Sequence, residues 1–208
     1  MNALTRVALL GGVPGLLTPA GDTARGADDK TPDSPSGPAD LKVGDVAPAF
    51  EALDDQGRPW KSTDHVGKKY LVVYFYPGDF TPGCTNQAKG FRDAMHQLVE
   101  RGVEVVGVSG DAVVNHQLFK KAQALNFTLL ADEDGGVAKK FGVPLGAAGQ
   151  VKTKGEDGQE VVLKRGVTAA RWTFVIDKDG KVALKNTRAI PTQDAKRVAE
   201  FIDQLEKR

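Results

Sequence analysis

Tyr74-Phe75-Tyr76-Pro77-Gly78-Asp79-Phe80-Thr81-Pro82-Gly83-Cys84-Thr85-Asn86-Gln87 contains the only cysteine of the chain. The run from Tyr70 to Tyr76 is unbroken apolar, aromatic and β-branched sequence, the pattern of a strand buried on both faces. The segment from Thr85 to Arg101 has helical character. Between them Pro77, Gly78, Pro82 and Gly83 force a sharp, irregular turn. This order predicts that Cys84 sits in the first turn of a helix at the carboxyl end of a central strand, where open α/β sheets place their sites. Unpaired backbone N–H groups and the positive end of the helix dipole favour a thiolate there. The competing reading of a lone cysteine is a small buried hydrophobe, which the Pro/Gly-rich strand-to-helix turn argues against.

The spacing Pro77-x-x-x-Thr81-x-x-Cys84 resembles the peroxidatic loop of the peroxiredoxins. The wider run from Phe75 to Gln87 is most similar to the peroxiredoxin Q (bacterioferritin comigratory protein) subgroup. Pro77 removes a backbone donor and shapes the loop. Thr81, three residues before Cys84, has a hydroxyl that can turn toward the sulfur and a peroxide oxygen.

The whole chain sets wider bounds. Its 208 residues allow one domain plus an extension, and 40% hydrophobic with 26% charged residues is ordinary for a globular core. A net charge of +1 argues for neither nucleic acid nor an acidic partner. One cysteine excludes an intramolecular disulfide and a cysteine-based zinc site. Residues 1–20 read as a short export signal, with Arg6 as its positive start, Val7 to Leu17 as its apolar stretch and Thr18-Pro19-Ala20 as its cleavage site. This implies a periplasmic or otherwise exported protein; the alternative is a cytoplasmic protein with a disordered N-terminal extension. The apolar stretch is too short to span a bilayer. Residues 21–40, rich in Gly, Asp, Pro, Ser and Thr, read as a disordered linker, so the folded domain is 41–208.

Leu41 to Phe50 carries a G-D-x-A-P-x-F string that resembles the opening of peroxiredoxins, and Asp54 to Gly57 supplies the turn of a first hairpin, with Trp60 in the core. Val103 to Ser109 is a second buried strand. Asp111 is placed to cap a helix over Ala112 to Leu125, with Val114, Leu118 and Leu125 facing inward. Phe127 to Leu130 is a short strand, and Asp132 to Gly135 starts a short helix ending near Phe141-Gly142. That acidic run lacks the remaining ligand positions of a calcium loop, and the similar run Asp177 to Gly180 is explained by a hairpin turn between two strands. Gln150 to Lys154 and Glu160 to Lys164 pair as a hairpin around Gly155 to Gly158, a surface excursion within 144–168. Arg171 to Asp177 and Lys181 to Lys185 are strands joined by a tight turn. Thr192 to Lys207 closes the chain as a helix packed through Ala195, Val198, Ile202 and Leu205. The element order matches an α/β, thioredoxin-like fold with a peroxiredoxin-type N-terminal hairpin and a central mixed sheet flanked by helices.

The resemblance also implies roles. Cys84 attacks the peroxide O–O bond and becomes a sulfenic acid. Arg171, in a segment that resembles the family's R-x-T/S-F-x-I-D strand, enters the site from a later strand; Lys164 and Arg165 are neighbouring alternatives that lack the motif. Gln87 matches a family position that holds Gln or Glu and positions the arginine or the loop. His65, His96 and His116 fall on no family motif and read as surface or packing residues. Many peroxiredoxin Q members carry a resolving cysteine five residues after the peroxidatic one, and here that residue is Lys89. The resemblance therefore implies a one-cysteine thiol peroxidase for hydrogen peroxide and organic hydroperoxides. Its partner is an external thiol, namely thioredoxin, glutaredoxin with glutathione, or a small thiol, and an exported protein needs one available outside the cytoplasm. No cofactor, metal, nucleic acid or membrane partner is expected, and the assembly is a monomer or weak homodimer. The alternative function is a stoichiometric peroxide sensor or redox relay; a thioredoxin-type reductase is disfavoured because C-x-x-C is missing.

Overall fold

The computed structural model describes residues 40–155 and 157–207. The export-signal reading of 1–20 and nearly all of the 21–40 linker lie outside the described residues. In chain order the elements are β1 (Glu51–Asp54), β2 (Pro59–Lys61), β3 (Tyr70–Phe75), α1 (Pro82–Glu100), β4 (Val103–Ser109) and α2 (Val113–Gln123). There follow β5 (Thr128–Ala131), α3 (Gly136–Lys140), β6 (Leu145–Gly146), β7 (Gly149–Lys154) and β8 (Glu160–Arg165). The chain closes with β9 (Thr168–Ala169), β10 (Trp172–Ile176), β11 (Val182–Asn186) and α4 (Asp194–Leu205).

Seven strands form one mixed sheet in the order β11-β10-β3-β4-β5-β1-β2. β3, β4 and β5 run parallel, while β10 pairs antiparallel with β3 and β1 pairs antiparallel with β5. β3 is central, so both of its faces are covered and its side chains are all buried. Tyr70, Val72 and Tyr74 pack with Phe91, Met95 and Leu98 of α1, Phe119 of α2, and Val198 and Ile202 of α4. Leu71, Val73 and Phe75 point the other way, onto Phe50, Trp60, Val137 and Phe141. That two-sided burial is why the strand reads as a continuous apolar run. Gly107 in β4 is dictated by this packing: a Cβ there would lie 2.7 Å from the Tyr74 ring and 2.9 Å from Leu129.

The predicted hairpin β7–β8 forms with Gly149 opposite Arg165 and Lys154 opposite Glu160. The short-helix reading of Asp132 also holds, since its carboxylate accepts the N–H groups of Val137 and Ala138 at 2.8 and 2.9 Å. The reading of α2 needs two corrections. Ala112, not Asp111, is the N-cap residue, and no side chain caps that end. Val114 is 65% exposed, and the inward residues are Asn115, His116 and Phe119. The reason is polar: His116 meets the buried Asp79 carboxylate on the facing loop and Asn115 meets the buried Asp111 carboxylate just before the helix, so part of the helix's polar sequence is its inner face. Among the described residues no helix is long and apolar enough to cross a membrane.

Candidate active site

β3 delivers its chain to the carboxyl edge of the sheet, where Tyr76 N–H still pairs with the Val108 carbonyl at 3.1 Å. Pro77 breaks the strand and the chain turns through Gly78 to Thr81. Phe80 takes a left-handed φ of 58°, unusual for a residue with a side chain. Thr81 is the extended N-cap residue of α1 and Pro82 opens the helix, where its missing N–H is no loss. Cys84 then falls in the first turn, 1% exposed, beside backbone N–H groups that have no intrahelical partner. The Thr81 hydroxyl donates to the Gly78 carbonyl at 3.1 Å and so closes the loop on itself, instead of turning toward the sulfur. The Thr81 carbonyl accepts the Thr85 N–H at 2.9 Å.

Arg171 reaches the sulfur from the position just before β10. Its Nη2 lies 3.2 Å from Cys84 Sγ, and its Nη1 donates to Gln87 Oε1. Gln87 sits one helical turn after Cys84 and is fully buried. Its amide donates onward to Asp194 Oδ2 at 2.8 Å, and the Thr173 hydroxyl donates to the same oxygen at 2.6 Å. Burial raises the Asp194 carboxyl above its ordinary range, against the hydrogen bonds of Thr173, Gln87 and Asn186 and the charge of Arg171. The arginine fork is therefore aimed by an amide that is itself held by the first residue of α4.

A second polar group lies under the loop. Asp79 is completely buried; it accepts Tyr76 Oη–H at 2.8 Å and faces His116 Nδ1 at 2.8 Å, and its own N–H donates to Asp111 Oδ2 at 2.9 Å. Asp111 is fixed in turn by the Ser109 hydroxyl at 2.8 Å and by the Asn115 amide at 3.3 Å. Burial opposes a charge on His116, yet Asp79, hydrogen-bonded beside it, and Asp111 behind it raise the imidazole above its usual range. Burial, then Asp79, drives the Tyr76 hydroxyl far above the phenol range, so it stays a donor. Burial and Asp79 also raise the Asp111 carboxyl. Over the loop lies Arg165: its guanidinium fills the space beside Gly78, where a Cβ would lie 2.8 Å from Nη1, and its Nε donates to the Thr168 hydroxyl at 3.0 Å.

The structure thus puts Arg171 in contact with both Cys84 and Gln87 and puts Pro77 and Thr81 in the turn before the helix. Of the alternatives to Arg171, Arg165 packs on Gly78, and Lys164 is exposed with its carbonyl accepting the Asn115 amide at 2.8 Å. His65 stacks on Trp60 at 4.3 Å and faces Glu104 at 2.8 Å, whereas His96 is exposed. Sequence reasoning missed Asp194, Thr173 and Asp79, took Asp111 for a helix cap and took His116 for a surface or packing residue. One signal was available: α2 lacks a continuous apolar stripe, which implies that something polar must face inward. Among the described residues no group of three or more His, Cys, Asp or Glu is arranged to hold a metal ion.

The AhpC/TSA family profile matches residues 43–185. The chain is 42% identical over 142 residues to Peroxiredoxin Bcp of Escherichia coli (strain K12), covering 68% of this chain and 83% of that protein. It is 40% identical over 158 residues to the chloroplastic Peroxiredoxin Q of Sedum lineare, covering 73% of this chain and 75% of the relative. Among solved structures, the peroxidoxin BcpB of Mycobacterium tuberculosis superposes with a TM-score of 0.65 at 30% identity, over 79% of this chain and 98% of that one.

Proposed function

The chain belongs to the AhpC/TSA family, in its peroxiredoxin Q/Bcp branch, and we propose that it is a peroxidase reducing hydrogen peroxide and organic hydroperoxides through Cys84 with an external thiol as reductant. The observation that carries the reading is the contact of Arg171 Nη2 with Cys84 Sγ, 3.2 Å apart in the first turn of α1. The thiolate attacks one peroxide oxygen in line: an S–O bond forms, the O–O bond breaks, and the other oxygen leaves as alkoxide or hydroxide and takes up a proton. Arg171 supplies a fixed pair of donors for the thiolate and for the negative charge that develops on the oxygens. The product is a Cys84 sulfenic acid. Lys89 stands where a resolving cysteine would be, and there is no second cysteine. One external thiol therefore condenses with the sulfenic acid, releasing water and leaving a mixed disulfide. A second thiol attacks that disulfide and restores Cys84. With Cys84 1% exposed, an incoming thiol needs a local opening around the residue to reach its sulfur.

Peroxide consumption in the presence of a dithiol, compared between wild type and Cys84→Ser, tests the activity. Wild-type turnover no faster than the serine variant defeats the proposal. Intact mass after one equivalent of peroxide, followed by each candidate thiol, separates the reductants. The lack of a second cysteine also supports a stoichiometric redox relay. Slow turnover with every small thiol, together with a mixed disulfide to one dominant protein, favours that second reading.

A further inference from the structure

The loop that precedes Cys84 is held in an unfavourable shape, and the group that holds it plays no part in the chemistry above. Phe80 has a φ of 58°, a conformation that persists only where the surroundings over-determine it. The residue before it, Asp79, is bound through three contacts to three elements. Its carboxylate takes the Tyr76 hydroxyl at the end of β3 and His116 Nδ1 of α2, each at 2.8 Å, and its N–H meets Asp111 at the end of β4 at 2.9 Å. Asp79 and His116 are both 0% exposed. The residue after Phe80, Thr81, is the N-cap of α1, three positions before Cys84. A rotation of Asp79 therefore displaces the Thr81 hydroxyl, the Gly78 carbonyl that it bonds and the first turn of α1 together.

We propose that Asp79 and His116 are a positioning pair for peroxide reduction, holding the 78–81 loop in the geometry that receives the peroxide without touching the sulfur. The inference rests on the peroxidase reading above. An uncharged leucine would close such a helix–loop contact more simply, because burying a charge-bearing pair is a weak source of stability. What the pair provides is direction: two carboxylate oxygens take donors from two different elements, which fixes the rotation of one backbone unit. The charged and titratable groups around His116 are Asp79 on the loop, Asp111 beyond β4, and Tyr76 through Asp79.

The test compares two reactions of Cys84 in single turnover: oxidation by hydrogen peroxide and alkylation by iodoacetamide. Both consume the thiolate, and only the first needs the loop to seat an O–O bond. His116→Leu is expected to lose about ten- to a hundredfold in peroxide rate, the scale of a misplacement near 1 Å, while its alkylation stays within about threefold. His116→Asn, whose amide nitrogen replaces Nδ1, is expected to recover most of the peroxide rate. Tyr76→Phe removes a single donor from Asp79 and keeps the ring, so it reports even if the leucine variant does not fold. Its peroxide rate should fall by about three- to tenfold. Unchanged peroxide rates in the folded variants overturn the inference, as does a parallel fall in both reactions. If wild-type Cys84 reacts with peroxide no faster than a free thiol, the peroxidase reading fails and takes this inference with it. A fast wild type with unaffected variants defeats this inference alone.

Discussion

Replacing Arg171 by lysine keeps the charge and removes the fork. In the wild type the guanidinium holds Cys84 Sγ with Nη2 at 3.2 Å and Gln87 Oε1 with Nη1 at the same time. A single ammonium on a flexible stem cannot hold both in a fixed plane. The lost contact is a charge-assisted hydrogen bond worth about 1.5–3 kcal/mol, so peroxide oxidation of Arg171→Lys should be slower by roughly 10- to 100-fold. Arg171→Met removes the charge as well. At 3.2 Å and an effective dielectric of about 20, the full attraction between unit charges is about 5 kcal/mol. Arg171 is only half-buried, which screens part of that. A loss of roughly a hundred- to a thousandfold is therefore expected, comparable with removing one oxyanion-hole donor. Trp172 adjoins Arg171, so stopped-flow tryptophan fluorescence with stoichiometric peroxide can follow the reaction directly. The expected order is wild type, then lysine, then methionine. A lysine variant within twofold of wild type would refute the argument from fork geometry, and a methionine variant at the wild-type rate would remove Arg171 from the reaction.

Asp194→Ala leaves the buried Gln87 amide and the Thr173 hydroxyl without their shared acceptor. Urea unfolding should show a loss of about 2–4 kcal/mol, and peroxide oxidation should slow because Gln87 no longer aims Arg171; unchanged stability and rate would mean that α4 does not support the site. Gly107→Ala puts a Cβ 2.7 Å from the Tyr74 ring in the middle of the sheet, and overpacking of that kind costs about 1–3 kcal/mol, readable as a lower melting temperature. The stability gap between wild type and His116→Asn has a definite pH sign. The imidazole is raised above its ordinary value of 6.5, so its charge stabilises the folded state fully below that pH and the benefit is lost as pH rises through the raised value. Calorimetry should show the gap narrowing from mildly acid toward alkaline pH, and a gap that widens with pH would contradict the ion pair.

The strand, the turn and the helix around Cys84 were legible because each is a local consequence of a few adjacent residues. β3 is an uninterrupted apolar run because both its faces are covered, and Pro77, Gly78 and Pro82 break and restart the chain by their own backbone limits. Pro77, Thr81 and Cys84 lie within one turn and the helix start that follows it, and the segment after Arg171 repeats a known strand pattern, so the residues that meet around the sulfur could be named. α2 shows where that reasoning fails. Val114 looks like a core residue and is exposed, whereas Asn115 and His116 look like surface residues and are buried.

By itself the sequence determined the α/β order of elements, the placement of one cysteine at a helix start and the lack of a second cysteine, since composition and nearest neighbours settle those matters. Only the tertiary structure decided what holds the site in place. Asp194 meets Gln87 across 107 residues of chain, and His116 meets Asp79 across 37. In a sequence, a broken apolar stripe can say that some polar residue faces inward, but not which one or what it meets. What settles that is whether folding brings a partner within hydrogen-bond distance, because without one the burial would be prohibitively unfavourable.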